Sequence, residues 1–182
     1  ALHGIREAGI TPGETVLVIG LGLLGLLTMQ IIRAMGSFVI GIDIDTKKIE
    51  FARQLGEKYL FNNKKDGLDE FIYSITGNEG VDATIITAAT DNNEPIEIAQ
   101  NFTRRRGRIE LVGVTKINLD RKSFWEKELS FSVSRADGPG MFDEKYIIKG
   151  IDYPQEYVRW TKRRNVEYFL KLIAQDKIKI EP

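Results

Sequence analysis

The sequence has no cysteine and a single histidine, His3. Without thiols, disulfides and thiolate metal ligands are excluded, and one imidazole cannot build a histidine metal cluster or a histidine-based triad. Metal-dependent or histidine-based chemistry would have to come from outside these residues. Excess charge is missing too: 26 Lys and Arg cancel 26 Asp and Glu. With no net field to draw the chain onto a phosphate backbone or an anionic bilayer, nucleic acid and membrane partners are not expected. No run approaches the roughly 18 consecutive apolar residues of a membrane span, and the amino terminus lacks the blocks of a signal peptide. A cytoplasmic location is the default expectation. Repeats at solenoid spacing and low-complexity tracts are absent as well.

What is present is ordinary globular material. The 182 residues, 42% hydrophobic and 29% charged, are enough for one domain with its own core and would crowd two. Residues 1–182 therefore read as a single domain. The sequence opens at Ala1 inside a helical pattern (Leu2 to Gly9) and stops at Glu181-Pro182 after a short apolar alternation, which reads as a fragment of a longer protein.

From residue 14 onward, strand-like and helix-like periods alternate. Thr15 to Ile19 is an unbroken apolar run, as expected for a strand buried on both faces. Leu23 to Met35 reads as a helix closed by Gly36, Phe38 to Ile42 as a strand, and a helix with a possible N-cap at Thr46 runs to Leu55. A strand at 59–61, a helix at 68–76, a strand at 83–87, a helix at 95–102 and a strand at 108–114 continue the rhythm. Beyond Val114 it becomes irregular, with a strand at 129–133, a loop across 138–157 and a helix from about Arg159 to Gln175. Such alternation predicts an α/β fold: a doubly wound parallel sheet (Rossmann fold) in three α/β/α layers, with right-handed crossovers and a ligand crevice at the carboxyl ends of the strands.

Gly20-Leu21-Gly22-Leu23-Leu24-Gly25 matches G-x-G-x-x-G directly after the first strand and at the opening of a helix. Gly20 would permit the tight turn, Gly22 the close approach of a pyrophosphate, and Gly25 the packing of helix on sheet. Free amides and the positive end of the helix dipole then face an anion. Glycines at this spacing also occur merely to turn a chain. Here the second strand ends at Asp43, 23 residues after Gly20, near the ~20-residue spacing at which a carboxylate meets the adenosine ribose. A carboxylate there accepts from the ribose hydroxyls and repels a 2′-phosphate, which favours NAD over NADP; the alternative is a solvated strand-end aspartate. Ile44 adjoins it. Asp45 reads as an exposed turn residue, and Lys47 and Lys48 as solvated lysines or, for Lys48, a cation near the ribose. Arg104-Arg105-Arg106 reads as a basic cluster at a helix carboxyl end.

The run from Ala8 through Pro12-Gly13-Glu14 and the first strand to Gly22 resembles the start of the cofactor domain of medium-chain, often zinc-dependent, alcohol dehydrogenases. Gly107 to Val114 resembles that family's fifth strand, whose end lies beside the nicotinamide. The tail, with Ser134-Arg135-Ala136-Asp137-Gly138-Pro139-Gly140, Lys149-Gly150-Ile151-Asp152-Tyr153-Pro154 and Tyr157-Val158-Arg159-Trp160-Thr161, is similar to a subgroup fused to a second oxidoreductase of the glucose-fructose oxidoreductase and inositol dehydrogenase type. The resemblance implies that Thr87, Ala88 and Ala89 run along the cofactor ribose and that Gly113 and Val114 flank the nicotinamide. It places Ser132, Val133 and Ser134 across the ring. Ordinary strand packing is the other reading of these small residues. Arg135 is read either as a ligand for a phosphate or substrate carboxylate or as a surface cap.

The same resemblance implies hydride transfer between nicotinamide and an alcohol or carbonyl substrate, possible pairing as a homodimer, and a separate catalytic domain that would hold any zinc. No catalytic or metal residue is expected within 1–182, and His3 is expected to be structural. The isolated fragment is expected to bind cofactor without turnover. The competing reading is a non-catalytic NAD(P)-binding sensor or scaffold, since a fold alone does not establish activity. A methyltransferase does not fit Val18-Ile19-Gly20, and a P-loop is excluded because Leu26 and Leu27 follow Gly25 where Lys and Ser or Thr are required.

Overall fold

The computed structural model describes residues 1–136 and 138–181. Asp137, part of the tail motif, and Pro182 lie outside the described residues.

The chain runs α1 (Leu2–Glu7), β1 (Thr15–Ile19), α2 (Leu23–Ala34), β2 (Phe38–Asp43), α3 (Thr46–Gln54), β3 (Tyr59–Asn62), α4 (Leu68–Thr76), β4 (Val81–Ile86), α5 (Glu94–Phe102), β5 (Thr103–Leu111), α6 (Arg121–Lys127), β6 (Ser130–Val133), α7 (Glu144–Ile147) and α8 (Lys162–Ala174). Among the described residues, six strands form one sheet in the order β3-β2-β1-β4-β5-β6, and every strand pair is parallel. This is the doubly wound order, whose reversal lies between β1 and β4.

Alternation along β1 divides the core. Val16 and Val18 join the cluster under α1, α2, α3 and α8, while Leu17 and Ile19 join the one under α4, α5 and α6. Each face of the sheet is thus covered by helices, which is why the central strands read as continuous apolar runs. Full burial of side chains such as Leu17, Ile40 and Ile86 stabilises the fold by about 1.5–3 kcal/mol each.

Several expectations are corrected. The N-cap of α3 is Asp45, whose carboxylate accepts from the Lys47 amide at 2.8 Å, rather than Thr46. The basic cluster Arg104–Arg106 lies within β5, not at the end of a helix; Arg104 pairs with Asp82 and Arg106 with Glu128. That strand starts at Thr103 because Thr103 pairs with Val81, with a register shift before Ala83. Helix α6 carries no buried residue, so no apolar period betrays it, and its start is fixed by Asp120, which accepts from the Lys122 and Ser123 amides. The 138–157 segment contains the short helix α7.

The tail folds back on α1 through aromatic and cationic contacts. The Arg6 guanidinium stacks 3.3 Å from the Trp160 ring and donates to Asn165 of α8. Burial lowers its pKa to about 10. His3 lies on α1 beside Gly138, where an added Cβ would approach its ring to 3.2 Å.

Candidate functional site

The carboxyl ends of β1, β2 and β4 converge on one crevice of about 320 Å³. Gly20 makes the turn out of β1 at φ +98°, a conformation that favours glycine, and a Cβ there would come within 2.7 Å of the Ala88 amide nitrogen. Gly25, one turn into α2, would drive a Cβ into the Gly20 carbonyl oxygen. These two glycines let the helix start directly on the strand end. Gly22 differs: an added Cβ would meet nothing within 4 Å, so its bareness faces open space. As the N-cap of α2, Gly22 offers no side-chain cap, which leaves the first-turn amides for an outside acceptor.

Asp43 is 5% exposed, which sets aside the reading of a solvated aspartate. Its Oδ2 accepts from the Leu21 amide at 2.7 Å and lies 3.5 Å from Lys48 Nζ, while Oδ1 accepts from the Asp45 amide at 2.8 Å. The carboxylate therefore ties the glycine turn to the end of β2. A carboxylate offers about four lone-pair directions, so acceptor capacity remains toward the crevice.

Eight of the residues singled out from the sequence line this crevice together: Gly20, Gly22, Asp43, Ile44, Lys48, Thr87, Ala88 and Ala89. Thr87 Oγ1 donates to the Gly20 carbonyl at 2.6 Å, and the Thr87 and Ala88 amides both reach the Ile19 carbonyl. Leu21 is buried and presents only its main chain, whereas Leu23 is exposed. Leu24 lines a separate apolar groove with His3 and Phe169. Gly113 and Val114 continue β5 beside Ala88 and Ala89, where the Val114 amide donates to the Ala88 carbonyl at 3.0 Å. At Gly113 a Cβ would overlap that carbonyl.

The β6 residues behave differently. Ser132, exposed on the strand, and Ser134, half-buried just past its end, donate their hydroxyls to the two carboxylate oxygens of Glu110. The exposed Arg135 stacks on Phe142 at 4.9 Å and donates to the Gly138 carbonyl at 3.4 Å.

Sequence reasoning missed the far wall, formed by Asn63, Thr90, Asn92, Glu94, Pro95 and Ile98. Asn63 Nδ2 donates to Glu94 at 3.3 Å. The only available signal was position, since Asn63 directly follows β3 and Glu94 opens α5.

Among the described residues, no group of three His, Asp or Glu side chains is placed to hold a metal ion. No helix of the described residues is long and apolar enough to cross a membrane.

Comparison with known proteins agrees with this geometry. Residues 24–147 match the family model for zinc-binding dehydrogenases. An alcohol dehydrogenase of Geobacillus stearothermophilus is 36% identical over 110 residues, covering 60% of this chain and 32% of that protein. A sorbitol dehydrogenase of Bacillus subtilis is 28% identical over 118 residues, covering 64% of this chain and 33% of that protein. The solved alcohol dehydrogenase TADH from Thermus sp. ATN1 superposes with a TM-score of 0.64 at 25% identity, over 73% of this chain and 39% of its own. The chain spans about a third of the length of the curated relatives it matches. With more than half of its residues inside the family model, the chain belongs to the zinc-binding dehydrogenase family, as a Rossmann-like domain of the medium-chain oxidoreductases.

Proposed function

We propose that residues 1–182 form one NAD(H)-binding domain of a dehydrogenase that moves a hydride between a nicotinamide ring and an alcohol or carbonyl carbon. The observation that carries this reading is Asp43, a buried carboxylate anchored on the glycine turn and bordering a crevice at the switch point of the sheet. Each of its oxygens already holds one main-chain donor; Oδ2 also meets Lys48 Nζ at 3.5 Å, and Oδ1 keeps a lone pair for a ribose hydroxyl. A second carboxylate, Glu94, lines the same crevice. Two negative groups disfavour a 2′-phosphate, which makes NAD the preferred cofactor and NADP the lesser one.

The fit extends along the crevice. The amides at Gly22, Leu23 and Leu24 suit a diphosphate, helped by the positive end of α2. Ile44 offers an apolar face to the adenine, and Lys48 a cation to the ribose edge. Thr87, Ala88 and Ala89 would follow the second ribose, with Gly113 and Val114 on one side of the ring and the 132–135 segment on the other. When bound, nicotinamide supplies the hydride exchange itself. The chain's own work is orientation: it holds one end of the carrier on main-chain amides and the other between two strand ends.

Acid-base help, including any zinc, belongs to a part of the protein outside these residues. The sorbitol dehydrogenase among the relatives supports a sugar-like substrate, and the tail motifs support a parent fused to a second oxidoreductase of the glucose-fructose oxidoreductase type.

Titration calorimetry with NADH and NADPH tests this. The wild-type chain is expected to bind NADH at micromolar or weaker Kd and NADPH less tightly. Asp43→Asn should weaken NADH about tenfold, or about 1.4 kcal/mol, while changing NADPH little. Equal losses for both cofactors would remove the role given to Asp43.

A further inference from the structure

We propose that Glu110 is a positioning residue for the nicotinamide end of the crevice, acting through Ser132 and Ser134. The inference rests on the dinucleotide reading above and adds a residue that neither the glycine motif nor the crevice lining identifies.

Glu110 is fully buried, and its strand neighbours Ile109 and Leu111 are core residues. Packing alone would favour an apolar side chain at such a position, because a buried carboxylate is costly unless its lone pairs are filled. They are filled by Ser132 of β6 and Ser134 just past its end: Ser132 Oγ donates to Oε2 and Ser134 Oγ to Oε1. Hydrogen bonds to a charged acceptor are the stronger kind. Both serines reach the same carboxylate, Ser132 from the strand and Ser134 from the first residue after it. Glu110 stands opposite Ser132 in the β5–β6 register, so its carboxylate bridges the last repeat of β6 and grips the chain as it leaves the sheet.

On the dinucleotide reading the ring lies between the ends of β5 and β6, beyond the residues that line the crevice itself, and these two segments need that grip unequally. The β5 wall is locked by main chain, with Val114 donating to Ala88 at 3.0 Å and Thr90 donating to Val114 at 2.8 Å. Strand β6 is at the edge of the sheet and pairs on one side only. Among the described residues its exit is held by the main-chain bond from Ser134 to Leu111, at 2.9 Å. The serine hydroxyls are given to Glu110, and the Arg135 side chain is engaged by Phe142 and Gly138. On that reading the 133–135 segment offers the ring its peptide groups and the exposed Val133 side chain, and Glu110 fixes where they sit.

The test is to titrate the wild-type chain, Glu110→Gln and Ser134→Ala with NADH and with ADP-ribose, which keeps the adenosine and diphosphate but lacks nicotinamide. Gln offers one acceptor oxygen where Glu offers two, so one serine must reverse its bond and accept from the amide nitrogen, which loses the charge-assisted bond and its geometry. Both variants are expected to bind NADH about tenfold more weakly and ADP-ribose within about twofold of wild type. A merely structural role would move both ligands together. Equal weakening of the two, or unchanged NADH binding in both variants, overturns the proposal. If Glu110→Gln fails to fold, Ser134→Ala, which leaves Glu110 paired with Ser132, decides alone. If the wild-type chain binds neither ligand, the dinucleotide reading fails and this inference falls with it. Wild-type binding of both ligands with equal affinity leaves that reading standing and overturns the inference.

Discussion

The main-chain amide of Leu21 donates to Asp43 Oδ2 across 2.7 Å, inside the protein. The bond joins the turn facing the diphosphate position to the carboxylate facing the ribose position, so the two halves of the candidate site are one mechanical unit. Asp43→Ala removes the acceptor for the buried Leu21 amide and for the Asp45 amide. It should destabilise the chain by about 1–3 kcal/mol, with Asp43→Asn costing less because it keeps an acceptor oxygen. Thermal unfolding of both variants checks this, and an unchanged Tm for Asp43→Ala would contradict the coupling.

The glycines of the motif should separate into two kinds. A Cβ on Gly25 overlaps the Gly20 carbonyl, so Gly25→Ala should cost about 1–3 kcal/mol through overpacking, or roughly 2–4 °C of Tm per kcal/mol. A Cβ on Gly22 meets nothing within 4 Å and the backbone there has ordinary φ of −72°. Gly22→Ala should therefore leave Tm unchanged while weakening NADH. Paired melting and titration curves read both effects, and a Gly22→Ala chain with wild-type NADH affinity would contradict the diphosphate placement.

Glu57 gives a pH dependence of known sign. It is buried beside Arg33, with Nη1 to Oε1 at 2.9 Å, and desolvation raises its pKa more than the guanidinium lowers it. A carboxyl with a raised folded pKa holds its proton more tightly in the folded state. Its contribution to stability is full below the ordinary value of 4.5 and is lost as pH rises through the folded pKa. Glu57→Gln should therefore be more stable than wild type at about pH 7, with the advantage disappearing near pH 4. Urea midpoints at the two pH values measure it; a less stable variant at neutral pH would show that the Arg33 pair outweighs desolvation.

Lys127 closes helix α5. Its Nζ donates to the carbonyls of Gln100, Asn101 and Thr103 at 2.8, 2.7 and 3.1 Å. Lys127→Met keeps the stem but strands these carbonyls, and should cost about 1–3 kcal/mol. Hydrogen exchange at the end of α5 should accelerate; unchanged protection would contradict the capping role.

Much of this was legible in the sequence because it follows from periodicity and backbone chemistry. The β1 run, the glycine turn and the strand end at Asp43 are local features, and the parallel order follows from their alternation with helices. The remainder depends on long-range pairing. Helix α6 carries no apolar stripe and is signalled only by the Asp120 cap. The start of β5 at Thr103 depends on pairing with Val81, so its three arginines read as a helix end until the sheet is assembled. Ser132 and Ser134 read as ligand contacts because nothing local reveals that Glu110 lies opposite them. Asn63 and Glu94, 31 residues apart, meet only in the folded crevice.

A crystal structure of the chain soaked with NADH puts the central claim to its most direct test. Density for the diphosphate against the amides at Gly22 and Leu23, with the adenosine ribose hydroxyls on Asp43, is the predicted result. An empty crevice at saturating NADH, or a dinucleotide bound elsewhere with Asp43 holding only Leu21, Asp45 and Lys48, would contradict it.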